Sequence, residues 1–160
     1  MSFLIRRTRR TAWTGETRNL DEAIREFTRS STDTDGLSVF EVKSDDDREL
    51  VVAAIACERE NTGAVDWIEI DRAALEEFGA VSHTPDHGQT VIAAVNKLHH
   101  SLDWDEATFR ALATKLFEEC VEPKRYAPSE VKKLVKKLPV DNVAESARAF
   151  VAEVQRPKKG

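Results

Sequence analysis

The run LVVAAIAC, from Leu50 to Cys57, leaves the chain few options, because eight consecutive apolar residues have no polar side to turn toward water. Such an element must be covered all round. A strand at the centre of a sheet packed on both faces meets that need, and so does a helix enclosed by others; periodicity does not separate the two. Before it, LSVFEVK follows Gly36 and is rich in β-branched and aromatic residues. After it, VDWIEI (Val65 to Ile70) puts Ile68 and Ile70 on one face. SDDDRE reads as a polar turn and ENTG, ending in Gly63, as a hairpin loop. Together these segments predict a three-stranded antiparallel meander.

The flanks of the meander read as helical. Asn19, with Glu22 three residues on, has the capping-box spacing, and Leu20, Ala23, Ile24 and Phe27 recur at helical period. That helix is expected to fail at Ser30, Ser31 and Thr32, which compete for backbone hydrogen bonds. Asp71 is expected to cap a short helix ending near Gly79. A helix is predicted from about Thr90, with Val91, Val95, Leu98 and Leu102 as its apolar stripe, and another after Asp103 with Phe109, Leu112, Ala113, Leu116, Phe117 and Cys120 inward. EPKRYAP carries two prolines and reads as a linker to two more amphipathic helices. The predicted fold class is α+β: an N-terminal helix and a three-stranded antiparallel meander packed against a helical C-terminal half, with about five helices. The corresponding organisation is a basic arm over 1–18, an α+β core over 19–122 and a basic two-helix appendage over 123–160.

Charge is segregated along the chain. The net charge of −5 is made of +3 over residues 1–30, −14 over 31–122 and +6 over 123–160. The acidic middle suggests docking of a partner protein, or of a second copy, steered by complementary charge, with Asp45, Asp46, Asp47, Glu58 and Glu60 as contacts. The basic ends suggest nucleic acid instead. Arg6, Arg7, Arg9 and Arg10 form one cluster, and Lys132, Lys133, Lys136 and Lys137 line the outer face of a helix.

All four histidines fall within His83 to His100. His83 and His87, at HxxxH spacing in a loop, are the candidate metal ligands. A tetrahedral zinc site needs three or four convergent ligands, however, and His99 and His100 as helix neighbours would point about 100° apart. The two cysteines, Cys57 and Cys120, form no CxxC and read as small buried hydrophobes. GxGxxG, GxxxxGK[ST] and GxSxG are all absent from the sequence, so dinucleotide, P-loop nucleotide and nucleophile-elbow chemistry are not expected. No catalytic residue and no cofactor is predicted. No apolar run approaches the ~20 residues of a membrane span, and a cytoplasmic location is the expectation.

Three family resemblances are visible. The strand triplet EVK, Glu41 to Lys43, resembles the second half of the PD-(D/E)XK nuclease signature. That resemblance implies Mg²⁺ held by carboxylates, with Lys43 steadying the attacking water and Glu22 or Glu26 on the preceding helix. It covers three residues. The family also expects an earlier acid on its own strand, where this chain offers only Asp33 and Asp35 in a short turn. The αβββα order is similar to that of double-stranded RNA-binding domains, but DRAALEEFG is acidic where that family is basic. Bacterial immunity and antitoxin proteins are similar in size and acidity. The expected function is thus a non-enzymatic interaction or regulatory protein that binds a partner protein through an acidic surface. The alternatives are a nucleic-acid-associated protein using the basic ends and a metal-dependent hydrolase or nuclease.

Overall fold

A computed structural model of the chain describes residues 2–28 and 36–157. Ser30, Ser31, Thr32, Asp33 and Asp35, singled out above, lie outside the described residues. Its frame is a six-stranded sheet of order β4-β5-β2-β1-β3-β6, antiparallel at every pairing. The strands are β1 (Phe3–Arg7), β2 (Leu37–Val42), β3 (Val65–Asp71), β4 (Ser82–His83), β5 (His99–Leu102) and β6 (Lys124–Tyr126). Among the described residues there are eight α-helices: α1 (Arg10–Trp13), α2 (Leu20–Glu26), α3 (Asp45–Arg59), α4 (Arg72–Glu76), α5 (Ala93–Asn96), α6 (Glu106–Glu118), α7 (Pro128–Lys136) and α8 (Glu145–Gln155). No described helix is long and apolar enough to cross a membrane.

This overturns the expected three-stranded meander with about five helices, and three segments account for the change. The first is Leu50–Cys57, which is helix. Ser44 accepts a hydrogen bond from the Asp47 backbone N–H, and Asp45, Asp46 and Asp47 occupy the first turn, where the helix dipole favours negative charge. What looked like a polar turn is therefore a helix start. Its apolar run needs cover all round because α3 lies between the sheet and α5, α7 and α8, so Val51 through Cys57 are all buried.

The second segment is the N-terminus. Residues 3–7, expected in a basic arm, form β1, which pairs with β2 on one side and β3 on the other. Alternation does the rest: Leu4 joins the core shared with α1, α2, α4 and α6, while Ile5 joins the core shared with α3, α5, α7 and α8. Further on, β6 adds to the edge of β3, and α7 and α8 lie over α3.

The third is the segment after Thr90. Only the four residues of α5 are α-helical, and His99–Leu102 pair with β2 and β4 as β5. His99 and His100 therefore point to opposite faces of the sheet, not along one helix.

Gly36 starts β2 at φ 107°, and a Cβ built there would stand 2.7 Å from the Leu102 carbonyl oxygen. Gly36→Ala is expected to cost about 1–3 kcal/mol from conformation alone, with the backbone clash added. A melting curve that does not move would show that β2 and β5 approach less closely.

Candidate functional site

Polar groups are rare in the two cores, and their placement is uneven. Among the described residues five polar or charged side chains are buried: Thr8, Glu41, His99, His100 and Ser101. Four of them belong to the neighbouring strands β2 and β5. Burying such groups costs free energy unless each finds a partner, and these four do, whereas the Thr8 hydroxyl has none among the described residues. Because side chains alternate along a strand, the four divide between two sites on opposite faces.

On the α3 face, His99 is the centre. Its Nδ1 lies 2.9 Å from the Thr84 carbonyl oxygen, which only accepts, so the proton belongs on Nδ1. In that tautomer Nε2 carries the lone pair, and the Ser38 hydroxyl, 2.9 Å away, donates to it. Thr84 Oγ1 stands 2.8 Å from both His99 Nδ1 and Ser101 Oγ, closing the network. The Phe40 ring meets His99 edge-on at 5.6 Å. Above these groups opens a cavity of about 360 Å³, with Phe40, Val51, Ala54, Ile55 and Val95 as apolar walls and Glu58, His87, Gln89 and Thr90 toward solvent. Partial desolvation raises the Glu58 carboxyl above its ordinary value, against the pull of Arg7. Glu58 is exposed at the cavity mouth, where solvent screening leaves this shift little energy.

On the opposite face, Glu41 Oε2 lies 3.0 Å from His100 Nε2 and accepts a hydrogen bond from Arg72 Nη1 at 2.9 Å. Burial works to raise the Glu41 carboxyl, but hydrogen bonds from Ser2 and Arg72 outweigh it and hold Glu41 below the ordinary carboxylate range. Burial pushes His100 below the ordinary histidine value; its bond to the Leu98 carbonyl and the charge of Glu41 oppose that shift without cancelling it. The ring of His83 lies 4.8 Å from that of His100, with Nε2 2.7 Å from the Lys97 carbonyl oxygen. Lys43, Asp47 and Lys97 line the adjoining cavity of about 340 Å³.

The residues singled out from the sequence fare unevenly. Asp45, Asp46 and Asp47 occupy the first turn of α3, whereas Glu58 and Glu60 lie at its far end. At 1.5 Å per residue these two acidic groups stand roughly 20 Å apart. Of the arginines, Arg6 donates to the Glu26 and Ser38 carbonyl oxygens, Arg9 pairs with Glu22 and Glu26, and Arg10 donates to the Pro123 carbonyl oxygen. Arg7 is exposed. Lys133 and Lys136 are exposed on α7 and Lys137 just past its end, with Lys132 half-buried. Since α1 and α7 cover opposite faces of the sheet, the two basic groups do not form one surface.

His83 and His87 belong to different cavities, and no described group of three His, Cys, Asp or Glu is placed to hold a metal ion. Glu41 and Lys43 do line one cavity, but Glu41 is engaged by Arg72 and His100. Cys57 is buried, which pushes its thiol up to about 11, and Cys120 is exposed at the end of α6.

Ser38, Thr84, His99 and Ser101 escaped sequence reasoning. The one available signal was the alternation in HHSL, masked by the helical spacing of Val91, Val95, Leu98 and Leu102. No protein-family model, curated protein or solved structure matches the chain.

Proposed function

We propose that the protein binds a small, neutral molecule, mostly apolar and carrying a hydrogen-bonding group, in the cavity over Ser38 and His99. The observation that carries this reading is the convergence of Ser38, His99 and Ser101 on the floor of a cavity that Phe40, Val51, Ala54, Ile55 and Val95 wall and polar residues rim. Ligand sites have this character: apolar area supplies affinity and a few fixed polar groups supply orientation. The volume falls at the small end of such sites. Among the described residues no lysine or arginine lines the cavity, and Glu58 stands at its mouth, both of which disfavour an anionic ligand.

Nitrogen-15 correlation spectra recorded during titration with benzamide and acetanilide provide the test. The expected result is saturable shifts clustered at Ser38, Ala54 and His99, lost in a Gln89→Trp variant that fills the mouth from its exposed rim. A ligand at a hundred times its Kd contributes about 2.7 kcal/mol, so melting should rise by roughly 5–10 °C. Shifts scattered over the surface, or unchanged in Gln89→Trp, would contradict the reading.

A further inference from the structure

The geometry points to Ser38 as a nucleophile activated by His99, able to take an acyl group from a small neutral ester; this rests on the cavity being a ligand site. The arrangement has the three parts that nucleophilic catalysis requires. Ser38 Oγ faces the cavity and lies 2.9 Å from His99 Nε2, within reach for proton transfer. The Thr84 carbonyl holds the Nδ1 proton, and so fixes the ring in the tautomer whose Nε2 accepts. Thr84 is itself held in place, since its backbone N–H donates to the His99 carbonyl oxygen and its hydroxyl meets Ser101. Nucleophile and base thus come from the paired strands β2 and β5, and the orienting group from the residue that follows β4.

The reaction balances with the ester and water alone. Ser38 Oγ bonds to the carbonyl carbon as its proton passes to His99 Nε2. The ester C–O bond then breaks, and the departing oxygen takes that proton. Water, deprotonated by the same Nε2, attacks the acyl-serine, and the proton returns to Ser38 Oγ as the acid leaves. The apolar walls, with no lysine or arginine among the described lining residues, favour a neutral acyl group over a phosphoryl group, whose transfer needs cationic stabilisation.

Incubation of the full-length protein with p-nitrophenyl acetate, followed by intact mass measurement and peptide mapping, tests this. One acetyl group on Ser38 is expected, with a burst of p-nitrophenolate. Ser38→Ala should lose both. His99→Gln should slow acylation by about 10²–10⁴-fold, the range general-base removal commands. If His99→Gln does not fold, Ser38→Cys keeps the question open to measurement, because a thiol at this position should be acylated as a thioester. Acetyl groups found only on lysines, or equal acylation of Ser38→Ala, would overturn the assignment. Acetanilide titration separates the two ideas. If acetanilide binds over Ser38 while the ester leaves it unmodified, the nucleophile is refuted and the cavity reading stands. If neither occurs, both fall.

Discussion

A chain lacking residues 1–9 is expected to show no cooperative unfolding transition. β1 pairs with β2 from Phe3 to Ile5 and with β3 along its whole length, so its loss divides the sheet into β4-β5-β2 and β3-β6. The two halves cannot simply close up. β2 and β3 both run antiparallel to β1, hence parallel to each other, and the helices on each face are spaced for a strand between them. Leu4 and Ile5, buried on opposite faces, each contribute about 1.5–3 kcal/mol through burial. Adding two ladders of backbone hydrogen bonds brings the loss close to the whole stability of a typical domain, about 5–15 kcal/mol. Urea titration followed by tryptophan fluorescence, with Trp67 and Trp104 as reporters, gives the measurement. A truncated chain that unfolds sharply at an unchanged midpoint would mean that β1 is dispensable. Leu4→Asp should reproduce much of the effect in the untruncated chain, because Leu4 is fully buried and the substitution places an unpaired charge among apolar side chains.

The same strand explains why local reading of the chain had limits. FLIRR has three apolar residues followed by two arginines, which is poor material for a central strand. Arg6 is tolerated there because its guanidinium reaches two backbone carbonyl oxygens, those of Glu26 and Ser38, which are distant in sequence. Signals that act within a few residues were easier to read. Asn19 caps α2 through the Glu22 N–H, Asp71 caps α4 through the Ala73 N–H, and LSVFEV and VDWIEID are strands. α3 failed that reading because an apolar run enclosed on all sides has no period, and its Ser44–Asp47 cap looks like a turn. The Ser38–His99 pair lay beyond local reading altogether. It depends on β5 docking beside β2, 61 residues away, and on β5 being a strand at all.

Glu69→Ala is the point substitution expected to destabilise most, by about 3–5 kcal/mol, the cost of leaving one member of a buried ion pair alone. Its carboxylate is 4 % exposed and Arg48 is 15 % exposed, so neither charge has ready access to water. Glu69 accepts from both Nε and Nη2 of Arg48, from Trp67 Nε1 at 2.9 Å and from Lys124 Nζ at 3.0 Å. Without it Arg48 keeps only Asp45, which is 90 % exposed, and the indole N–H of buried Trp67 has no acceptor. Glu69→Gln retains an acceptor oxygen and should cost less. Acid separates charge from hydrogen bonding. Burial works to raise the Glu69 carboxyl, but the hydrogen bonds from Arg48, Trp67 and Lys124 outweigh it and hold the group below the ordinary glutamate range. A carboxyl lowered on folding stabilises fully above its unfolded value, and that contribution is lost as pH falls through the folded one. The gap between wild type and Glu69→Gln in urea midpoint should therefore be widest near neutrality and should narrow between about pH 5 and about pH 1. A gap independent of pH would show that the side chain acts by packing, and a loss under about 1 kcal/mol in Glu69→Ala would show that the pair is wetter than its geometry indicates.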